Sequence, residues 1–264
     1  MRMSESPIGV LDSGVGGLTI ARAIKDILPQ ETIYYIGDTA NIPYGDKTKA
    51  ALQTHVQNIV NYLLAQDCKA IVIACNTATI AAADILRTYI PSDIPLLNVI
   101  TPVIDHIAHR YAGKKLGFIG TTYTVQANYY GQCLQAKNQD IQLASLATPL
   151  LAPMIEADTY DPAIIAQYLS APALRDIEGI ILGCTHYWFI KEQIKRFYPQ
   201  PIAVIHGADL LANKLREVLQ ERSLLNITST AADRFMVTRP TPSFQKVMRK
   251  LFGDSATCQA IAIH

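Results

Sequence analysis

Short runs of wholly apolar residues alternate along this chain with longer stretches whose apolar positions recur every three or four residues. Ala70-Ile71-Val72-Ile73 and Gly179-Ile180-Ile181-Leu182 are clear examples of the first kind. Runs that are apolar on both faces read as buried parallel strands, and the longer amphipathic stretches read as helices. The pattern predicts strands near 8–12, 32–37, 70–75, 96–99, 115–120, 142–146, 178–183 and 202–205. It predicts helices at 17–28, 47–66, 77–89, 123–137, 161–170, 187–197 and 208–221, then a tail with strand, helix and strand at 234–237, 245–251 and 259–262. Regular strand–helix alternation is the signature of an α/β fold with parallel sheets covered by helices on both faces.

The two halves of the pattern repeat. Ile8-Gly9-Val10-Leu11-Asp12-Ser13-Gly14 matches Leu116-Gly117-Phe118-Ile119-Gly120-Thr121-Thr122 in kind. Gly9 and Gly117 are 108 residues apart, and Cys75 and Cys184 are 109 apart. Nearly equal offsets point to two duplicated units rather than a solenoid. We therefore expect two pseudo-symmetric, doubly wound parallel-sheet domains, 1–100 plus 208–264 and 101–207, with the active site in the cleft between them. The junction near residue 100 carries only Thr101-Pro102 and no Gly/Ser linker, so the domains should be tightly joined.

Composition narrows the class. The chain has 264 residues, 50% of them hydrophobic and 17% charged, with a formal net charge of +1. Lys and Arg are scattered, which argues against a nucleic-acid or acidic-membrane surface. The start, Met1-Arg2-Met3-Ser4-Glu5-Ser6-Pro7, shows no apolar signal region, and no apolar run approaches the roughly 18 residues of a membrane span. Five cysteines without a Cys-x-x-Cys pair argue against a disulfide scaffold, a zinc ribbon or any other metal site, and for a reducing cytoplasm.

Candidate chemistry centres on Cys75, followed by Asn76 and Thr77, and Cys184, followed by Thr185 and His186. Each thiol is expected at a strand's carboxyl end and a helix's amino end, where doubly wound folds bind ligands. A helix amino end also lowers a thiol's pKa from about 8.5. His186 could activate Cys184 as an acyl-transfer nucleophile, although this leaves Cys75 unexplained. As a zinc pair, Cys184 and His186 lack further ligands. Cys68, Cys133 and Cys258 have no motif around them and read as small hydrophobes. The turn Asp12-Ser13-Gly14-Val15-Gly16-Gly17 suggests a dinucleotide site, but Thr19 stands where the third glycine is needed and no Gly-Lys-Ser/Thr follows. Asp38, at the end of the second strand, is where a ribose-binding acid would sit, yet Asp12 would repel a pyrophosphate. A tight turn accounts for Gly16 and Gly17, leaving Asp12 and Ser13 as ligand-contacting groups.

These residues resemble the glutamate racemase family, within the aspartate/glutamate racemase superfamily. The matching segments are Gly9 to Thr19, Gly37-Asp38 with Pro43-Tyr44-Gly45, Ala74-Cys75-Asn76-Thr77-Ala78, Gly120-Thr121, Pro153-Met154-Ile155-Glu156 and Gly183-Cys184-Thr185-His186-Tyr187. The resemblance implies cofactor-independent interconversion of L- and D-glutamate, with the D-isomer destined for peptidoglycan. It implies that Cys75 and Cys184 are the two acid/base groups, with Asp12 beside Cys75, and Glu156 and His186 beside Cys184. Substrate contacts carried over are Asp12, Ser13, Tyr44, Gly45, Asn76, Thr77, Thr185 and His186. The expected partner is a small molecule, glutamate, with no nucleic acid and no membrane, and a homodimer is kept open. Two departures bear on the cleft's shape: Trp188-Phe189 stand where the family has Pro-Leu, and His206-Gly207 where it commonly has an acidic residue. Aspartate racemase is the nearest rival. A two-cysteine cis–trans isomerase of maleate type and a non-catalytic binding protein are others. A pyridoxal-phosphate racemase would need a Schiff-base lysine, and none sits beside these motifs.

Overall fold

A computed structural model describes residues 3–137, 140–159, 161–228 and 231–263. The first unit runs β1 (Ile8–Asp12), α1 (Leu18–Ile27), β2 (Ile33–Gly37), α2 (Lys49–Ala65), β3 (Ala70–Ile73), α3 (Asn76–Leu86) and β4 (Leu96–Asn98). After α4 (Ile100–Arg110) come β5 (Lys115–Gly120), α5 (Thr122–Gln126), α6 (Tyr129–Lys137), β6 (Gln142–Ala147), α7 (Leu151–Glu156), α8 (Pro162–Leu169), β7 (Gly179–Gly183), α9 (Lys191–Phe197) and β8 (Ala203–Ile205). The chain then forms α10 (Ala208–Glu221), β9 (Arg234–Val237), α11 (Pro242–Phe252) and β10 (Cys258–Ala260).

Two parallel sheets result, ordered β10-β9-β2-β1-β3-β4 and β6-β5-β7-β8. The segment β2-β1-β3-β4 has the same order as the whole second sheet, so the repeat read from the sequence is a repeat of topology. In each unit the winding reverses between the first and third strands, β1/β3 and β5/β7. A crevice opens there beyond the strands' carboxyl ends. The tail extends the first sheet, β9 pairing with β2 at Tyr35↔Phe235 and Ile36↔Met236.

Side-chain alternation sorts the strand residues into separate cores. Val10 and Val72 join Ile24, Leu211, Phe118 and Ile181 in one core that runs across both sheets. Leu11, Ile71 and Ile73 pack on the opposite face with Leu52 and Val56 of α2. Ile119, Ile180 and Leu182 form a third core with Ile194. The shared core is why no flexible linker is needed between the units. No helix among the described residues is long and apolar enough to cross a membrane.

The helix readings need four corrections. The junction at Thr101-Pro102 lies inside α4. Pro102 falls in its first turn, where a missing N–H costs nothing, and Asn98 Oδ1 accepts from the N–H groups of Ile100 and Thr101. Ile100, Val103, Ile104 and Ile107 give α4 a buried stripe. The stretch 123–137 is two helices, α5 and α6, because Asn128 between them takes a left-handed φ of 48°. The segment opening at 187 begins as a 3₁₀ turn over Thr185–Ile190 and becomes α-helical only in α9. Helix α7 lies where no element was expected; it has six residues, Pro153 among them, and no side-chain cap.

Candidate active site

A cavity of about 490 Å³ opens at the strands' carboxyl ends. Ser13, Tyr44, Cys75, Asn76 and Thr77 line it from the first unit, and Thr121, Glu156, Cys184, Thr185 and His186 from the second. The tail adds Thr241, Pro242 and Ser243. Its charged lining residues are Asp46 and Glu156, with His186 titratable, and the described lining includes no lysine or arginine.

Cys75 caps α3, its sulfur accepting the Ala78 N–H at 3.4 Å and lying 4.0 Å from Ser13 Oγ. The helix end was expected to lower this thiol's pKa. Burial raises it instead, with Asp12 adding to the rise, and together they outweigh the Ala78 and Ser13 hydrogen bonds. A dipole worth roughly 1 kcal/mol cannot offset removal of a thiolate from water. Cys75 is therefore a thiol in this state.

Cys184 sits at the equivalent end of β7 and starts a relay. Its sulfur is 3.5 Å from His186 Nδ1, and His186 Nε2 is 2.6 Å from Glu156 Oε2. That carboxylate oxygen also accepts the Val15 N–H at 2.9 Å, reaching back to the first unit. Burial disfavours a charged His186, but the Cys184 sulfur and Glu156 together raise its pKa well above the ordinary imidazole value.

Asp12 is fully buried and stands behind the cavity rather than on its wall. Its Oδ2 accepts the N–H groups of Gly14 at 3.1 Å and Gly17 at 2.9 Å, and its Oδ1 accepts from Thr185 Oγ1 at 3.3 Å. It thus orders the turn and ties the two units together. Burial raises its pKa against the pull of His186 and the two backbone donors.

The remaining groups are held from behind. Tyr130 OH donates to Asn76 Oδ1 at 2.7 Å, and Tyr44 OH donates to Asp38 Oδ2 at 2.7 Å. Asp38 also takes a bond from Thr238 Oγ1 at 2.8 Å, so its role is to fix Tyr44 and the tail. Thr77 Oγ1 lies 3.0 Å from Thr121 Oγ1 and 3.2 Å from Thr124 Oγ1, a threonine cluster spanning the cleft. Gly45 lines the same wall.

Thr121 was not among the expected site residues, yet the repeat points to it: it stands 108 residues after Ser13 and directly follows the equivalent strand. Thr241–Ser243 carried no such signal. Trp188 and His206 lie behind Cys184 and Thr185, around a void of about 10 Å³. Lys191 Nζ caps the Trp188 ring at 4.3 Å from its centroid. The departures from the family pattern therefore alter the backing of the site and leave the cavity wall intact. Among the described residues, no group of three or more His, Cys, Asp or Glu is placed to hold a metal ion.

Residues 18–215 match the family described as Asp/Glu/Hydantoin racemase. The chain belongs to that racemase family. It is 34% identical to the glutamate racemase of Sulfurihydrogenibium sp. (strain YO3AOP1), covering 95% of each chain. It is 36% identical to that of Neisseria meningitidis serogroup C, over 94% of this chain and 93% of the relative. The crystal structure of glutamate racemase from Francisella tularensis in complex with D-glutamate superposes with a TM-score of 0.89 at 34% identity, covering 98% of both chains. Within this racemase fold, every expected site residue except Asp12 reaches the cavity wall.

Proposed function

We propose that the chain interconverts L- and D-glutamate without a cofactor, by proton transfer between Cys75 and Cys184. The observation that carries this is the placement of two buried thiols at equivalent strand ends, facing one cavity from two units. Inversion at an α-carbon removes a proton from one face and returns one to the other, so two acid/base groups on opposite sides suffice. With Cys75 a thiol, Cys184 acts as base toward the enantiomer whose α-proton faces it. His186 and Glu156 hold the proton that Cys184 releases. Cys75 then delivers its own proton to the opposite face, and the roles reverse for the other enantiomer.

The described lining has no lysine or arginine, so substrate carboxylates fall to the hydroxyls of Ser13, Thr77, Thr121 and Thr185 and to backbone N–H groups at the start of α3. The same donors spread the developing carbanion charge. The relatives' names favour glutamate over aspartate. The product would serve peptidoglycan synthesis in the cytoplasm, where the thiols stay reduced. Sheet membership supports dividing the chain into 1–100 with 208–264, and 101–207.

The test is racemisation in deuterated water, followed by circular dichroism and proton NMR without added cofactor. Early product should carry α-deuterium while recovered substrate does not, and Cys75→Ala and Cys184→Ala should each abolish inversion. Early label in recovered substrate, faster turnover of aspartate, or full activity in either variant would overturn the proposal.

A further inference from the structure

Gly14 and Gly16, in the turn after β1, are not required by backbone torsion. Among the described residues the glycines with positive φ are Gly113 and Gly253, so alanine could adopt the backbone of this turn. What it would lack is space. A Cβ on Gly14 would lie 2.7 Å from Glu156 Cδ and 2.8 Å from its Oε1. One on Gly16 would lie 2.7 Å from both N and Nδ1 of His186, and closer still to Thr185 Oγ1. All three neighbours come from the second unit and surround Cys184. Between the two glycines, the Val15 N–H holds the Glu156 oxygen that His186 also contacts.

We infer that Gly14-Val15-Gly16 is a backbone seat that holds Glu156 and His186 in line with Cys184, its two glycines being positioning residues for that half of the reaction. The inference rests on the two-thiol reading above. The effect is expected to be one-sided, because the nearest atoms each added Cβ would meet belong to Glu156, Thr185 and His186, whereas the sulfur of Cys75 is held by Ser13 Oγ and the Ala78 N–H. The two positions differ in what must yield. At Gly14 the obstacle is the tip of a flexible side chain, so Gly14→Ala displaces the Glu156 carboxylate. At Gly16 it includes the backbone of His186, so Gly16→Ala shifts the chain beside Cys184.

The experiment measures inversion and α-proton exchange separately in deuterated water for the parent protein, Gly14→Ala and Gly16→Ala. Inversion should fall on the order of 100-fold, the scale of one lost acid/base partner. Exchange from the enantiomer facing Cys75 should stay within about ten-fold of the parent, so label enters recovered substrate without inversion. A double-mutant cycle in thermal unfolding isolates the contact. Gly14→Ala should lower Tm in the parent and leave it nearly unchanged in the Glu156→Ala background, and that background should also rescue Gly14→Ala if alone it fails to fold.

Inversion within about two-fold of the parent in both glycine variants would overturn the inference. So would joint loss of inversion and exchange at the parent's Tm, or an equal Tm cost of Gly14→Ala in both backgrounds. A parent protein that racemises nothing would overturn the two-thiol reading instead, while the unfolding cycle would still report on the seat.

Discussion

Cys75 and His186 show how surroundings set ionisation at single residues, burial deciding the first and the neighbouring Cys184 and Glu156 the second. The sulfur of Cys75 meets a helix end, yet burial keeps it protonated. In the free protein it should alkylate with iodoacetamide more slowly than the half-buried Cys133 and Cys258, as peptide mass mapping would show. Equal or faster labelling would mean an accessible thiolate. Cys68, pushed up to about 12 by burial, should be similarly inert. The folded pKa of His186 is raised as well, but there the shift favours the charged form. Its contribution to stability is complete below the unfolded value of about 6.5 and is lost as pH rises through the folded value. Thermal unfolding of the parent and His186→Gln should therefore differ more at about pH 6 than at about pH 9.5. A difference independent of pH would mean that His186 stays neutral.

Strand β3 illustrates what an element needs at its other end. Lys69, just before it, lies 2.6 Å from Glu31 Oε2, with the two side chains 0% and 1% exposed. Its ammonium also donates to the Leu224 carbonyl at 2.8 Å, and Glu31 Oε1 accepts the Asn226 N–H at 2.9 Å. Breaking such a pair leaves a buried charge alone. Lys69→Met should cost about 3–5 kcal/mol in denaturant unfolding, and most of that should return in Lys69→Met/Glu31→Leu. A cost below about 1 kcal/mol would show that water reaches the site. This clamp lies at the strands' amino ends, away from the cavity, so it supports the sheet that carries Cys75 without entering the chemistry.

Across the whole molecule, the shared core and the tail bind the two units into one body. Deleting 234–264 would strip β9 from β2, remove the buried Phe235, Met236, Phe244 and Met248, and uncover Tyr35, whose ring packs against Phe235 and Phe244. The truncated chain should not give a cooperative thermal transition; a sharp transition would make the tail dispensable. Lys246 of α11 also pairs with Asp158, two residues past Glu156, across the cavity's rim. Both side chains are exposed, and such pairs contribute about 0–1 kcal/mol. Lys246→Ala should therefore change kcat/KM by less than about five-fold, measured at low and high salt.

A strand buried on both faces, such as β3 or β7, must be apolar along its whole length, so the sequence by itself determined it directly. All ten strands among the described residues were legible, and the repeat placed Cys75 and Cys184 at equivalent ends. Helix α4 is missed because Thr101-Pro102 reads as a domain junction, although its stripe Ile100, Val103, Ile104 and Ile107 has the helical period, and α7 is too short for a period. The tertiary structure alone decided that Cys75 stays protonated, that Asp12 stands behind the wall, and that Thr241–Ser243 complete the cavity. It also decided that the glycine turn seats the second unit. These features rest on contacts such as Val15 to Glu156, 141 residues apart, and Thr185 to Asp12, 173 apart. Local periodicity encodes which face of an element is buried, but which group lies against that face, and how much water is left there, is fixed only when distant segments fold together.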